Sequence, residues 1–156
     1  MSDSLLFSLE RLLLTTWVGA LWAIGYLAVP VLFASLDDRM LAGMLAGKMF
    51  TLLSFLGLGC GSLLLILGFA GNGVPGRGVR AAMLLCMLLL VAVGEFGLQP
   101  VMAELKRQGL VEGSEQYAQF ARLHGVASVL YLANSLLGLA LVSLKRFNRV
   151  VAMAAE

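Results

Sequence analysis

The sequence predicts an all-α protein, an integral membrane bundle of four antiparallel helices. Hydrophobic residues make up 60% of the 156 positions and charged residues only 13%, against about 25% charged residues in an average soluble domain. Four apolar runs each exceed the ~20 residues that a helix needs to cross a bilayer core about 30 Å thick. The runs lack the short alternating pattern of barrel strands, so helices are the expected form.

The four runs place the expected spans at about 12–36, 49–72, 79–103 and 121–144, within one membrane domain of residues 1–156. A chain of this length fits a single domain. The first run has no basic segment before it, and it exceeds the apolar core of a cleaved signal peptide, which is about 7–15 residues. We therefore expect it to remain as a membrane span.

The first helix is expected from near Ser4 to near Ser35. Pro30 should kink or loosen its last turns, because proline lacks a backbone N–H. Asp37 and Asp38 follow as a polar break. Acidic side chains at this point suit the start of the second helix directly after them.

The second helix contains two Gly-x-x-x-Gly pairs, Gly43/Gly47 and Gly57/Gly61. Small residues let helices approach closely in lipid, where packing replaces the hydrophobic driving force. Packing within the bundle is the simpler explanation of these glycines. The alternative is a seam for association with a second copy or with a larger membrane complex.

The third helix is expected from about Val79 to beyond Pro100, after a glycine-rich loop at residues 71–78. Glu95 is its one charged residue between positions 81 and 103. Gly109 and Gly113 bracket the next turn, and after them Ser114 can cap a fourth helix that starts at Glu115.

A faint internal repeat relates the two halves of the chain. Pro30-Val31 precedes Phe50 by 20 residues, and Pro100-Val101 precedes Phe120 by the same distance. This spacing predicts that helices one and two form a hairpin related to that of helices three and four.

Positive charge gives an orientation. The cluster of Lys145, Arg146 and Arg149 directly abuts the fourth span, so both termini are expected in the cytoplasm. A net charge of +2 without a basic run speaks against nucleic acid as a partner. Membrane lipid is the expected surrounding.

Four polar residues fall in one half of the bundle at similar depth when positions are counted along antiparallel helices: Lys48, Glu95, Gln99 and the single histidine, His124. Ser128 shares the helix face of His124. A carboxylate in hydrocarbon is costly unless it is paired, protonated or hydrated, so Glu95 is expected to meet His124 or Lys48.

The functional hypothesis is an intramembrane site, built on His124 and Glu95, that handles protons, binds a cofactor, metal or small molecule, or aids its passage. The alternative is a structural network in a non-catalytic accessory subunit. A lone histidine is a poor zinc site, but haem could use His124 with a methionine or a second chain's histidine. An enzyme has the least support, because no nucleophile–base pair is visible.

Several motifs resemble the transmembrane-protein-205-like family, which is the domain of unknown function 4149 in its bacterial form. They are Trp17-Val-Gly-Ala, Tyr26-Leu-Ala-Val-Pro30-Val-Leu-Phe33, Ala46-Gly47-Lys-Met-Phe50, Pro100-Val-Met, Phe120-Ala-Arg-Leu-His124-Gly-Val-Ala-Ser128 and Asn134. The resemblance implies a four-helix protein of the bacterial inner membrane without an established reaction. The bundle is also loosely similar to the copper-resistance-D and protoporphyrinogen-oxidase-like membrane families, some of which bind haem.

Overall fold

The computed structural model describes residues 3–70 and 77–154, which form four long helices joined by turns. We number them α1 (residues 3–35), α2 (Arg39–Ala70), α3 (residues 77–107) and α4 (Glu115–Ala154). Most of the glycine-rich loop predicted at residues 71–78 lies outside the described residues.

Each helix is long and apolar enough to cross a membrane, over Leu5–Ser35, Arg39–Gly68, Gly78–Arg107 and Glu115–Ser143. The predicted fold class is confirmed: the described chain is all-helical, and it has the character of a multi-pass membrane protein. The third span reaches Arg107, past the predicted end at residue 103.

The helix starts follow from side-chain caps at two turns. Asp38 Oδ1 accepts the backbone N–H groups of Met40 at 2.8 Å and Leu41 at 3.0 Å, so α2 begins directly after this residue. Ser114 Oγ accepts the N–H of Tyr117 at 3.1 Å at the start of α4. Caps of this kind satisfy N–H groups that have no partner inside the helix.

The helices form a closed antiparallel ring in which each contacts its two chain neighbours and α4 returns to α1. Gly61 on α2 shows the close approach, because a Cβ there would lie 2.6 Å from Leu88 Cδ2 of α3 and 2.9 Å from Trp17 Cζ3 of α1. Gly138 on α4 would meet Val18 of α1 at 3.0 Å and Met87 of α3 at 3.3 Å.

These contacts repeat, so the two hairpins are related by a pseudo-twofold axis along the bundle. Buried positions of α1 and α3 match at a separation of 70 residues, and those of α2 and α4 at 77: Leu14/Leu84, Trp17/Met87, Gly61/Gly138 and Leu64/Leu141. The second separation is larger because α3 runs two residues further than α1 and the turn at 108–114 is four residues longer than the turn at 36–38, which accounts for most of the difference. The predicted hairpin relation therefore agrees with the structure, but Phe50 and Phe120 are not matched positions.

An ion pair joins the two hairpins across this axis. Arg80 of α3 binds the carboxylate of Glu10 on α1, and these two positions are themselves 70 residues apart. Their side chains are 21% and 24% exposed, so the pair is largely shielded. Glu10 and Arg80 are matched positions on the diagonal helices α1 and α3, so they meet at the pseudo-twofold axis between these helices.

The axis is packed with side chains along the middle of the bundle. The largest fully buried side chains come from α1, α3 and α4: Trp17, Leu21, Met87, Ser135 and Leu141. A core filled in this way is a packed interior without room for a continuous water-filled pore.

We expect Gly61→Leu to destabilise the protein, because the added side chain must displace Trp17 and Leu88. Overpacking of a dense core typically costs about 1–3 kcal/mol. Thermal unfolding in detergent measures the effect, and Gly59→Leu is the matched control, since nothing lies within 4 Å of a Cβ at Gly59. Equal melting temperatures for the two variants would contradict the packing described here.

Candidate functional site

Two π-helical turns interrupt the bundle at matched positions. Ile24–Ala28 in α1 precedes Pro30, and Val93–Leu98 in α3 precedes Pro100. In each turn the hydrogen bond spans five residues, as from the Val29 N–H to the Ile24 carbonyl. A proline cannot supply the usual donor, so the helix widens before it. Turns of this kind are frequent at functional sites.

The π-turn of α1 is satisfied by Tyr131 of α4. The Tyr131 hydroxyl donates a hydrogen bond to the Leu21 carbonyl, one turn before Gly25. The tyrosine ring lies where a side chain at Gly25 would be, with its Cζ 2.6 Å from that Cβ position. A side chain thus enters the backbone hydrogen-bond ladder at the wide turn.

An aromatic cluster surrounds this junction. Phe50 meets the Tyr131 ring edge-on with 5.1 Å between centroids, and Tyr26 lies 6.0 Å from it. Trp22 packs on Tyr26 at 4.7 Å. The wide turn of α1 is therefore closed by hydrogen bonding and by apolar packing together.

The π-turn of α3 has different side chains at the matched positions. Glu95 stands where α1 has Gly25, and Ser54 on α2 stands where α4 has Tyr131. The Phe55 and Phe96 rings, 6.4 Å apart, place this turn against α2. Glu95 is half-buried, and within the described residues no hydrogen bond or ion pair satisfies its carboxylate.

Glu95 lies close to the middle of its helix. It is 17 residues from Gly78 and 12 from Arg107, which corresponds to about 26 Å and 18 Å along the axis. Counted back from Pro100, the sequence predicts a depth of only roughly 8 Å for Glu95. The difference arises because α3 continues past Pro100 for nearly two further turns.

The remaining predicted site residues do not gather around Glu95. Gln99 is half-buried, with Nε2 3.8 Å from the Cβ position of Gly47 on α2. Lys48 is exposed. No hydrogen bond or ion pair among the described residues joins Glu95 to Lys48 or to His124.

His124 lies on the exposed surface of α4. Its ring stacks on Phe120 with 5.9 Å between centroids and 13° between planes. Ser128 is also exposed, and its hydroxyl donates to the His124 carbonyl at 2.9 Å. A ligand of His124 would thus approach α4 from outside the bundle. Within the described residues, no group of three or more His, Cys, Asp or Glu side chains could hold a metal ion.

Asn134, Gly57 and Gly61 lie inside the bundle, whereas Gly43 and Gly47 are partly exposed. Asn134 is 3% exposed, and its Oδ1 has no hydrogen-bond partner among the described residues. Gly57 and Gly61 both receive the Trp17 ring, and Gly43 lies 3.9 Å from Phe33 when measured from its Cβ position. These glycines serve contacts within the chain.

Two contacts were not predicted from the sequence. Lys106 Nζ donates to the Gly43 carbonyl at 3.4 Å and lies 5.3 Å from the Phe120 ring centroid, so it joins three helices near the turns. A lysine in the last turn of a helix is a visible signal. The hydrogen bond of Tyr131 had no such signal, because its acceptor depends on a π-turn.

Comparison with known families gives one match. The family model described as a domain of unknown function, DUF4149, matches residues 12–110, which is more than half of the chain. The chain belongs to this family. No curated protein and no solved structure matches significantly. Both π-turns and Glu95 lie in the matched DUF4149 region, whereas His124, Ser128 and Asn134 lie beyond it.

We expect Tyr131→Phe to lower the free energy of unfolding by about 1–3 kcal/mol, because the Leu21 carbonyl loses its side-chain donor in a buried setting. Tyr26→Phe is the control, since the Tyr26 side chain is 42% exposed. Denaturant unfolding in mixed micelles measures both. A Tyr131→Phe variant as stable as Tyr26→Phe would exclude a stabilising hydrogen bond at the first π-turn.

Proposed function

We propose that this DUF4149 protein is a non-enzymatic four-span protein of the bacterial inner membrane that binds a proton or a small cation at Glu95. The observation that carries the proposal is a half-buried carboxyl group, in a π-turn near the middle of a membrane-spanning helix, with no described hydrogen-bond or ion-pair partner. An isolated carboxylate in hydrocarbon is strongly disfavoured, so it takes up a proton or a neutralising ligand.

The packed axis directs the ligand to the side of the bundle. Trp17 and Met87 fill the interior, whereas Glu95 is partly exposed where α3 meets α2. The ligand therefore reaches the carboxyl group from the side of the bundle, where α3 meets α2, and not along a central channel. A proton or a small cation is the smallest ligand that can neutralise a site offering one acid.

The proposal also includes the orientation of the protein in the membrane and its location in the inner membrane. The basic residues after the fourth span favour both termini in the cytoplasm. The likeness to transmembrane-protein-205-like proteins supports the inner-membrane location. Membrane lipid is the proposed surrounding, and nucleic acid is not a proposed partner.

The accessory-subunit alternative receives less support. It needed a glycine seam free to meet a second copy or a larger complex, yet Gly57 and Gly61 are covered by Trp17 of the same chain. Haem ligation by His124 is also less favoured, because this histidine is exposed beside Phe120. An absorption spectrum of the purified protein tests haem directly, and a Soret band lost in His124→Ala would restore that hypothesis.

Carbodiimide labelling tests the proposal. Dicyclohexylcarbodiimide is lipid-soluble and adds to protonated carboxyl groups. We expect mass spectrometry of treated membranes to find the adduct on Glu95, with a yield that falls as pH rises because the reactive form carries the proton. Glu95→Gln removes the adduct, and Glu104, bonded to Arg107 and Gln108, serves as the internal control.

Protection experiments distinguish the two ligands. Added Na⁺ that slows labelling of Glu95 at constant pH indicates a cation site, and labelling that follows pH alone indicates a proton site. Absence of the adduct at every pH, with Glu95 peptides detected, would contradict the proposal.

A further inference from the structure

Two polar atoms in the middle of the bundle have no hydrogen-bond partner in the part of the chain that the structure describes: Trp17 Nε1 and Asn134 Oδ1. The Trp17 side chain is 0% exposed and Asn134 is 3% exposed. One atom is a donor and the other is an acceptor, since an indole carries an N–H and an amide oxygen accepts. Buried polar groups without partners are rare in folded proteins, and ordered water often satisfies those that remain.

The pseudo-twofold axis places the two atoms at the same depth. Trp17 Nε1 lies 2.5 Å from the Cβ position of Gly57 on α2. Gly57 and Asn134 are matched positions, four residues before the matched glycines Gly61 and Gly138. Asn134 therefore enters from α4 at the level where the indole nitrogen rests against α2.

The two atoms come from different helices of the ring. The helices α2 and α4 are diagonal members of the ring, because each is flanked by α1 and α3. Trp17 of α1 covers Gly57 on α2, and Asn134 occupies the matched buried position on α4. A donor and an acceptor that both lack a described partner thus lie in the same layer of the bundle.

The chemistry of this layer selects a small neutral ligand. Ser135, the adjacent buried polar residue, already donates its hydroxyl to the Tyr131 carbonyl at 2.9 Å. The indole N–H and the amide oxygen are both uncharged. The indole N–H can donate one hydrogen bond, and the amide oxygen can accept one. A water molecule supplies both functions in the smallest volume.

We propose that one buried water molecule bridges Trp17 Nε1–H and Asn134 Oδ1 on the axis of the bundle. The water accepts from the indole and donates to the amide oxygen. This inference stands on the two unpaired atoms and on the repeat, and it does not depend on proton binding at Glu95.

The test is NMR of the ¹⁵N-labelled protein in lipid nanodiscs, with no added ligand. The chain has two tryptophans, and Trp22→Phe assigns their indole signals. We expect the Trp17 indole proton to show a dipolar cross-peak to a long-lived water in the wild-type protein. A Trp17 indole without that cross-peak would overturn the proposal, including the case in which Asn134 binds the indole directly.

A variant pair checks the acceptor. Asn134→Leu removes the oxygen, and we expect it to shift the Trp17 indole proton and to abolish the water cross-peak, while the Trp22 signal stays in place. Ser135→Ala is the matched control, since its hydroxyl is bonded within α4. A Trp17–water cross-peak that survives Asn134→Leu would overturn the bridge, and the wild-type measurement decides the question even if that variant fails to fold.

Discussion

The structure depends on the rule that a backbone carbonyl in lipid must find a donor inside the protein. Each of the two membrane prolines removes a donor from its helix, and each lies two residues after the end of a π-turn. At the first π-turn a tyrosine of α4 donates to the helix backbone, and the contact requires glycine at position 25. The turn before Pro30 is thus one of the places where α4 packs on α1, together with Gly138 against Val18.

Both hairpins contain a π-turn before a proline, but the side chains at the two turns differ. The first has a glycine under an aromatic ring, and the second has a carboxyl group in place of the glycine and Ser54, a much smaller residue, at the position matched to the tyrosine. In the first hairpin the π-turn is closed by packing. In the second hairpin it carries an acidic side chain that can bind a ligand. This asymmetry, more than the presence of Glu95 alone, makes α3 the centre of the functional proposal.

The sequence was sufficient for the fold, because apolar length, two prolines and two capping residues determine where helices run and begin. It was less informative about the site. Helical counting placed Glu95 and His124 at similar depth, but it could not show that His124 sits on the outer surface while Asn134 turns inward. The burial of a polar residue depends on the rotation of its helix, and that rotation is set by contacts such as Trp17 on Gly57 and Gly61.

The ion pair between Glu10 and Arg80 affects which hairpins can pack against each other. Because these are matched positions, two copies of the first hairpin would bring two carboxylates together, and two copies of the second would bring two guanidinium groups together. Like charges in a shielded setting oppose both arrangements. Opposite charges at one pair of equivalent sites therefore favour assembly of the first hairpin with the second over pairing of two like hairpins.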